Sequence, residues 1–483
     1  MQGDLGTPAA PLRVAIIGSG PSGFYAAEHL QGQEGLEVQI DMYDRLPTPF
    51  GLVRGGVAPD HQKIKSVTRV YDKIAAHPEF RFYGNVEMGR DLTHEDLSAY
   101  YHAIIYAVGA RTDRRMGIPR EHLPGSHSAT EFVGWYNAHP DFWHLGFDLS
   151  VESAAVVGNG NVAMDLARIL AGPRELLAAT DIADHALGAL ESSGIRDIHV
   201  LGRRGPAQAA FTNKELKELG ELPDVDVVVD PAAVELDPLS AAEVEATSNR
   251  TRDRNLELLR EYAGRRPAGA PKRIHLHFLV SPVEITGSRR VEALTVVRNE
   301  LYESEDGSIR PRPTDRTETL PMGLVFRAIG YQGVPLPGIP FDAMRGVIPN
   351  QGGRIVEPRT GEPVGGEYVV GWIKRGPQGI IGTNKPDSQE TARMLLEDLA
   401  AGRLDKEEVP SREVLEHLLG ERRRDFVSYE DWQLIDLLEQ ERGAEGGRPR
   451  LKFSRVEEML HALQERKRAA AEEAARAEGQ ASA

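Results

Sequence analysis

Twice in this chain an apolar strand runs through a glycine-rich turn straight into a helix, and no other feature constrains the fold as tightly. The first instance is VAIIGSGPSGFYAAEHL, from Val14, and the second is ESAAVVGNGNVAMDLARIL, from Glu152. In the first, Val14–Ile17 reads as a buried parallel strand and Phe24–Leu30 as the following helix. Gly18, Gly20 and Gly23 fit G-x-G-x-x-G. The first glycine permits the tight turn, the second lets a pyrophosphate approach the backbone, and the third lets helix and strand pack closely. Pro21 and Ser22, between the second and third glycines, are cofactor-binding candidates with them, and the free N–H groups and positive dipole end of the helix suit the phosphates. In the second instance Gly158, Gly160 and Ala163 give the G-x-G-x-x-A form that often accompanies a phosphorylated nucleotide, with Asn161 and Val162 as further binding candidates between the second glycine and Ala163. Two such units imply two dinucleotides and electron transfer between them.

The strands that follow differ in their last residues. LEVQIDMYD ends at Asp44, placed to accept hydrogen bonds from a ribose diol; the plainer alternative is a solvated strand-end acid. IRDIHVLGRRG ends at Arg203 and Arg204 and offers no acid. Two guanidiniums suit a 2′-phosphate through charge-assisted, bidentate hydrogen bonds, which favours NADP over NAD. After Asp44 comes a proline- and glycine-rich loop, Pro47 to Pro59, that is neither helix nor regular strand and is a good place for site residues. His61 stands at its end, where a helix starts. FRFYGNVEMGRDL reads as short strands turning at Gly84. Two apolar strands closing on glycine, HAIIYAVGA (His102–Ala110) and LVFRAIGYQG (Leu324–Gly333), mark where an inserted domain is entered and left. Its last part, IHLHFLVSPVEITG and RRVEALTVVRNELY, reads as hairpins.

With no cysteine among 483 residues, the chain has no disulfide, thiolate-held metal, Fe–S cluster or redox cysteine pair of its own. The formal charge of −16 argues against general nucleic-acid binding, so an acidic partner needs a local basic patch. Such a run lies at Arg250, Arg252, Arg254, Arg260, Arg265, Arg266, Lys272 and Arg273. No apolar run is long enough to cross a bilayer. The first residues lack a basic and an apolar signal region, so a cytoplasmic location is expected.

LPTPFGLVRGGVAPDH, joined to the first glycine motif, resembles the adrenodoxin reductase-type ferredoxin–NADP(+) reductases, and PAQAAFTNKELKELGEL and GWIKRGPQGIIGTNK extend the likeness from about Arg13 to about Leu463. The resemblance implies that FAD lies at the first motif and NADP(H) at the second. Asp44 stands where that family usually has Glu. Leu52, Val86, Trp372, Gly379, Ile380 and Ile381 are then further FAD or nicotinamide contacts. The backbone N–H groups of Gly379–Ile381 would receive charge that develops on the flavin pyrimidine edge. The resemblance also places Glu215, otherwise a first-turn acid that complements the helix dipole, at the nicotinamide, hydrogen-bonded to His61. These two are candidate catalytic residues, as orienters of the nicotinamide or proton relays. Asp165, one turn into the second motif helix, is a weaker candidate. The basic run would face a ferredoxin or similar acidic iron–sulfur carrier.

The expected architecture is α/β, two doubly wound Rossmann-like domains. A discontinuous FAD domain (11–112 and 329–466) holds an inserted NADP domain (113–328), with a low-complexity tail (467–483). The expected reaction passes a hydride from NADPH to FAD and then single electrons to the carrier. A disulfide reductase or a glutamate synthase small subunit would need the missing cysteines. A flavin monooxygenase and a non-catalytic NADP(H)-binding redox sensor remain as alternatives.

Overall fold

The computed structural model describes residues 5–406 and 408–481. The chain forms two compact units, one of Met1–Val57, His61–Thr112 and Tyr331–Ala483, the other of Ala58–Asp60 and Asp113–Gly330.

In the first unit the chain lays down β1 (Leu12–Ile17), helix α1 (Pro21–Gln31), β2 (Val38–Asp44), β3 (Phe80–Gly84) and β4 (Ala103–Tyr106). β1 pairs in parallel with both β2 and β4, with Ile17 beside Tyr43 on one side and Tyr106 on the other. Of the short strands expected over FRFYGNVEMGRDL, FRFYG forms one that ends at Gly84, and only an isolated bridge between Met88 and Leu92 follows the turn.

The second unit carries β5 (Ser126–Ser128), β6 (Ser153–Val157), α2 (Asn161–Ala171), β7 (Asp197–Leu201), α3 (Asn213–Gly220), β8 (Val225–Val229), α4 (Arg250–Gly264) and β9 (Lys272–His277). Next come β10 (Val280–Thr286), β11 (Ala293–Glu303), β12 (Ile309–Pro321) and β13 (Leu324–Arg327). Six of these strands make one parallel sheet in the order β5-β13-β6-β7-β9-β8, while β10-β11-β12 form a separate antiparallel sheet. The hairpin reading of the insert's end therefore holds for β10–β12 but not for β9. That strand lies between β7 and β8.

Back in the first unit, β14 (Asn350–Gln351), β15 (Arg354–Val356) and β16 (Pro363–Val369) complete a sheet in the order β14-β15-β16-β4-β1-β2-β3. Helix α5 (Asn384–Ala400) packs on α1. Trp372–Arg375 forms a helical turn before it. The last helix, α6, runs Val456–Ala481, so the alanine- and glutamate-rich tail is helix through Ala481 and exposed over 467–478. The final two residues lie outside the described chain.

Each sheet has one point where successive strands turn to opposite sides. From β1 the chain builds outward through β2 and β3, then β4 returns to the other flank of β1. From β6 it builds outward through β7, then β13 returns to the other flank of β6. In open α/β sheets ligands bind outside the carboxyl ends of the strands at such a switch point. Both glycine motifs sit there, directly after β1 and β6.

Candidate functional site

The two motif turns are built alike. Gly18 has φ +109° and Gly158 has φ +136°, a region that side chains avoid. A Cβ on Gly18 would lie 2.5 Å from the carbonyl oxygen of Ala107, just past β4, and one on Gly158 would lie 2.3 Å from that of Ala328, just past β13. In each unit the returning strand thus passes so close to the turn that only hydrogen fits. The second glycines are the opposite case. A Cβ on Gly20 or Gly160 would meet nothing within 4 Å, so open space lies directly against the backbone. The first turns of α1 and α2 contain no acidic residue, so no carboxylate competes for their positive ends. Open space, free backbone N–H groups and an unopposed dipole are what a dinucleotide pyrophosphate requires, and both turns fit it.

In the first unit the surrounding segments are tied to the motif. Asp44 Oδ2 accepts from Ser19 N at 3.1 Å and Ser19 Oγ at 2.5 Å, and Oδ1 accepts from Leu46 N at 3.0 Å. The carboxylate is thereby held at the mouth of the turn with lone-pair capacity left over. The Val86 amide donates to the Asp44 carbonyl at 2.9 Å, and the Phe50 amide to that of Ser19 at 2.9 Å. This brings the proline–glycine loop onto the motif. Leu52, half-buried, starts the short Leu52–Gly55 helical turn of that loop. The third resembled phrase returns to the same place. The Gly371 amide donates to Asp387 Oδ2 at 2.6 Å, and Ser388 Oγ donates to the Ser22 carbonyl at 2.8 Å. Trp372 packs against Tyr331 with ring centroids 5.3 Å apart, and its Nε1 donates to the Gln378 carbonyl at 3.2 Å. Gly379 and Ile380 are exposed and Ile381 half-buried; at 61% exposure Ile380 is a large apolar side chain left in solvent. His61 is 6% exposed and stands at the N-cap of the Gln62–Lys65 turn.

In the second unit Asn161 Oδ1 accepts from the Thr212 amide at 2.9 Å, which joins the start of α2 to the start of α3. Val162 is half-buried and Ala163 fully buried against the sheet. Glu215, 6% exposed, lies in the first turn of α3 and accepts a hydrogen bond from Thr212 Oγ1. Just beyond β7, the backbone at Arg203 and Arg204 is pinned: Asn299 Nδ2 donates to the Arg203 carbonyl at 2.8 Å and the Leu279 amide to that of Arg204 at 3.0 Å. Their guanidiniums make no ion pair among the described residues. Burial, and secondarily the charge of Arg203, push the Arg204 guanidinium below its ordinary pKa. Glu243 opposes that shift without forming an ion pair, and two adjacent cations with a fixed backbone fit a phosphate.

Asp165 does not sit on a solvated helix face. It pairs with Arg168 three residues on, Oδ1 to Nη2 at 2.5 Å, and Arg168 also holds Asp60. Sequence reasoning passed over Arg168 and Asp60. The available signal was that Asp165 and Arg168 are the only charges on an otherwise apolar helix.

The basic run changes character in the fold. Arg252 is buried at 8% exposure and donates to the carbonyls of Glu243, Val244 and Thr247. Arg254 and Arg265 pair with Glu257 and Glu261, Arg273 pairs with Asp197, and Lys272 Nζ donates to the Leu170 carbonyl. Arg250, Arg260 and Arg266 remain without an ion pair among the described residues.

The sequence profile of the family described as "Pyridine nucleotide-disulphide oxidoreductase" matches residues 12–270. The NADPH-ferredoxin reductase FprA of Mycobacterium tuberculosis is 48% identical over 459 residues, which span 93% of this chain and 98% of that protein. The mitochondrial NADPH:adrenodoxin oxidoreductase of Salvelinus fontinalis is 41% identical over 467 residues, 94% of this chain and 91% of that one. The solved structure of Mycobacterium tuberculosis FprA in complex with NADPH superposes with a TM-score of 0.89 at 47% identity, covering 94% of this chain and all of that one. Among the described residues no helix is long and apolar enough to cross a membrane.

Proposed function

The chain belongs to the adrenodoxin reductase-type ferredoxin–NADP(+) reductases, and from that membership and the two motif turns we propose the following division of labour. The protein is an NADPH-dependent flavoprotein reductase that takes a hydride from NADPH onto FAD and delivers electrons to an iron–sulfur carrier. The observation that carries this reading is the repeated geometry: two switch points, each with a first glycine closed off by a returning strand and a second glycine open to a ligand.

FAD would be held in the first unit, with its pyrophosphate at Gly18–Gly23, a ribose at Asp44, and Leu52, Val86, Trp372 and Gly379–Ile381 along its length. Bound there, it supplies the exchange between two-electron hydride chemistry and one-electron delivery. NADP(H) would be held in the second unit by Gly158, Gly160, Asn161, Val162 and Ala163, with its 2′-phosphate between Arg203 and Arg204. His61 and Glu215, both nearly fully buried, would orient the nicotinamide and hold or pass a proton. Asp165 would act through Arg168 rather than on the nucleotide. An acidic carrier would meet Arg250, Arg260 and Arg266, because the other cations of that run are already engaged. The protein would work in the cytoplasm.

The test is anaerobic. Holoprotein is mixed with NADPH or NADH and the flavin absorbance followed, then candidate ferredoxins are added. Fast bleaching by NADPH, slow bleaching by NADH and onward reduction of an iron–sulfur protein are expected. A protein that cannot be loaded with flavin, or a reduced form that consumes oxygen in preference to reducing any iron–sulfur protein, would sink the reading.

A further inference from the structure

Arg168 is a buried cation to which the proposed function gives no role beyond its pairing with Asp165. It lies on α2, three residues after Asp165, and is 4% exposed. Its neighbours on the helix are apolar: Met164, Leu166, Ala167, Ile169 and Leu170 are all fully buried. A charge in such a place is costly unless paired. Here three carboxylates converge on one guanidinium. Asp165 Oδ1 lies 2.5 Å from Nη2, Asp60 is bonded to Nη1, and Glu218 Oε2 lies 3.8 Å from Nη1. Surrounded by these anions, Arg168 keeps its charge despite burial, and its pKa is raised.

The three partners come from different places in the chain. Asp165 is on the motif helix itself. Glu218 is on α3, one turn beyond Glu215. Asp60 belongs to the three-residue segment Ala58–Asp60 that is part of the second unit while the chain on either side is not. Asp60 is peptide-bonded to His61, so a guanidinium that fixes Asp60 also fixes where His61 begins. A simple helix staple would need only Asp165 and Glu218.

We propose that Arg168 is a positioning residue: by clamping Asp60 and Glu218 to the motif helix it sets the backbone at His61 and the placement of Glu215. The proposal rests on the reductase reading for what these two residues do. Neither Arg168 nor Asp60 touches nucleotide in this account, so their loss acts on the rate of hydride transfer more than on binding.

The experiment compares holoprotein carrying Arg168→Met, Arg168→Lys, Asp60→Asn, and Arg168→Met with Asp60→Asn. Anaerobic flavin reduction at saturating NADPH should slow about 10–100-fold in Arg168→Met and in Asp60→Asn, since misplacing a reacting group by about 1 Å costs that much. The KM for NADPH should move less than about threefold. The double variant should be no slower than Arg168→Met, because both changes break one clamp. Arg168→Lys should recover about fivefold or more, as one ammonium still reaches one carboxylate. A second readout needs no turnover. Trypsin should cut nucleotide-free Arg168→Met and Asp60→Asn faster than wild type at Lys63, two residues past His61. If Arg168→Met does not fold, Asp60→Asn decides. An Asp60→Asn protein within twofold of wild type in rate and cleavage overturns the proposal, as does a double variant whose loss is the product of the single losses. If wild type is not reduced by NADPH, the reductase reading fails instead, and the cleavage comparison still judges the clamp.

Discussion

Replacing Arg204 with alanine should weaken NADPH and at the same time stabilise the nucleotide-free protein. The opposite signs follow from the geometry. Without ligand, Arg203 and Arg204 stand side by side with no ion-pair partner among the described residues, and burial plus the neighbouring charge already disfavour the Arg204 cation. Removing it relieves that repulsion. With a 2′-phosphate present, each guanidinium gains charge-assisted hydrogen bonds worth about 1.5–3 kcal/mol where solvent is excluded. Arg204 is half-buried and should fall within that range, giving about a 10–150-fold rise in KM for NADPH. Arg203 is exposed, so its contribution is nearer 1 kcal/mol, about fivefold. NADH lacks the phosphate and should be affected by less than about threefold in either variant. The assay is steady-state kinetics with both nucleotides, joined to melting curves with and without NADP+. The ligand-induced rise in melting temperature should shrink in Arg204→Ala while the ligand-free melting temperature stays level or rises. Equal loss toward NADPH and NADH would refute the 2′-phosphate assignment. A ligand-free protein made less stable would refute the repulsion argument.

Three further outcomes follow from single features. Gly18→Ala puts a Cβ 2.5 Å from the Ala107 carbonyl at φ +109°, so purified protein should carry little flavin and melt earlier by the equivalent of about 2–4 kcal/mol; a fully flavin-loaded, unshifted variant would contradict the close approach. Asp44→Asn removes a charged acceptor for Ser19 and Leu46 and places an NH2 among donors, so flavin content should fall, with about 1.5–3 kcal/mol lost from stability; retention of flavin through urea titration would count against that role. The rings of His199, His275 and His277 stack on the sheet of the second unit, centroids 4.6 Å and 5.3 Å from His199. Burial, and then the neighbouring histidines, lower His199 and His277 from 6.5 to about 4, against the opposing pull of Asp197 and Asp230. The unfolded chain therefore binds more protons between those values. The stability these histidines contribute is present above pH 6.5 and is lost as pH falls from about 6.5 toward 4, by about 1–2 kcal/mol each after allowance for their partial exposure. The melting temperature should decline over that interval, and less steeply in His277→Gln; an unchanged slope would exclude the stack as its source.

What could be seen in the sequence was what local chemistry determines. A glycine turn between a strand and a helix is a short-range object, and so is the change from Asp44 to Arg203–Arg204 at the end of the next strand. What stayed hidden depended on distant segments. The oxygen that forbids a side chain at Gly158 belongs to Ala328, and nothing near Gly158 announces it. The basic run was visible as charge, but Arg252 is buried in the carbonyls of residues 243–247 and serves the fold. In β9, Ile274 and Leu276 alternate with charged residues and histidines, a pattern that reads as a hairpin strand. Interior parallel strands usually read as continuous apolar runs, since both faces are covered. Here one face of the strand carries the half-exposed histidine stack instead, so a central parallel strand has the pattern of an edge.

The matched family profile is named for disulphide chemistry, yet this chain has no cysteine. The motif turns explain why the two facts are compatible. Each is made of backbone: a positive φ, a carbonyl too close for a Cβ, an open second glycine and an uncapped helix start. None of these asks for a thiol, so binding two dinucleotides is separable from the group that finally takes the electrons. A disulfide reductase carries that group as a cysteine pair in its own chain. The family to which this chain belongs passes them to a separate iron–sulfur carrier. The docking cations proposed above are Arg250, Arg260 and Arg266, which make no ion pair among the described residues. Neutralising all three should lower the rate of carrier reduction and flatten its dependence on salt, while leaving flavin reduction by NADPH unchanged. If the salt dependence survives, the docking cations lie elsewhere on the surface.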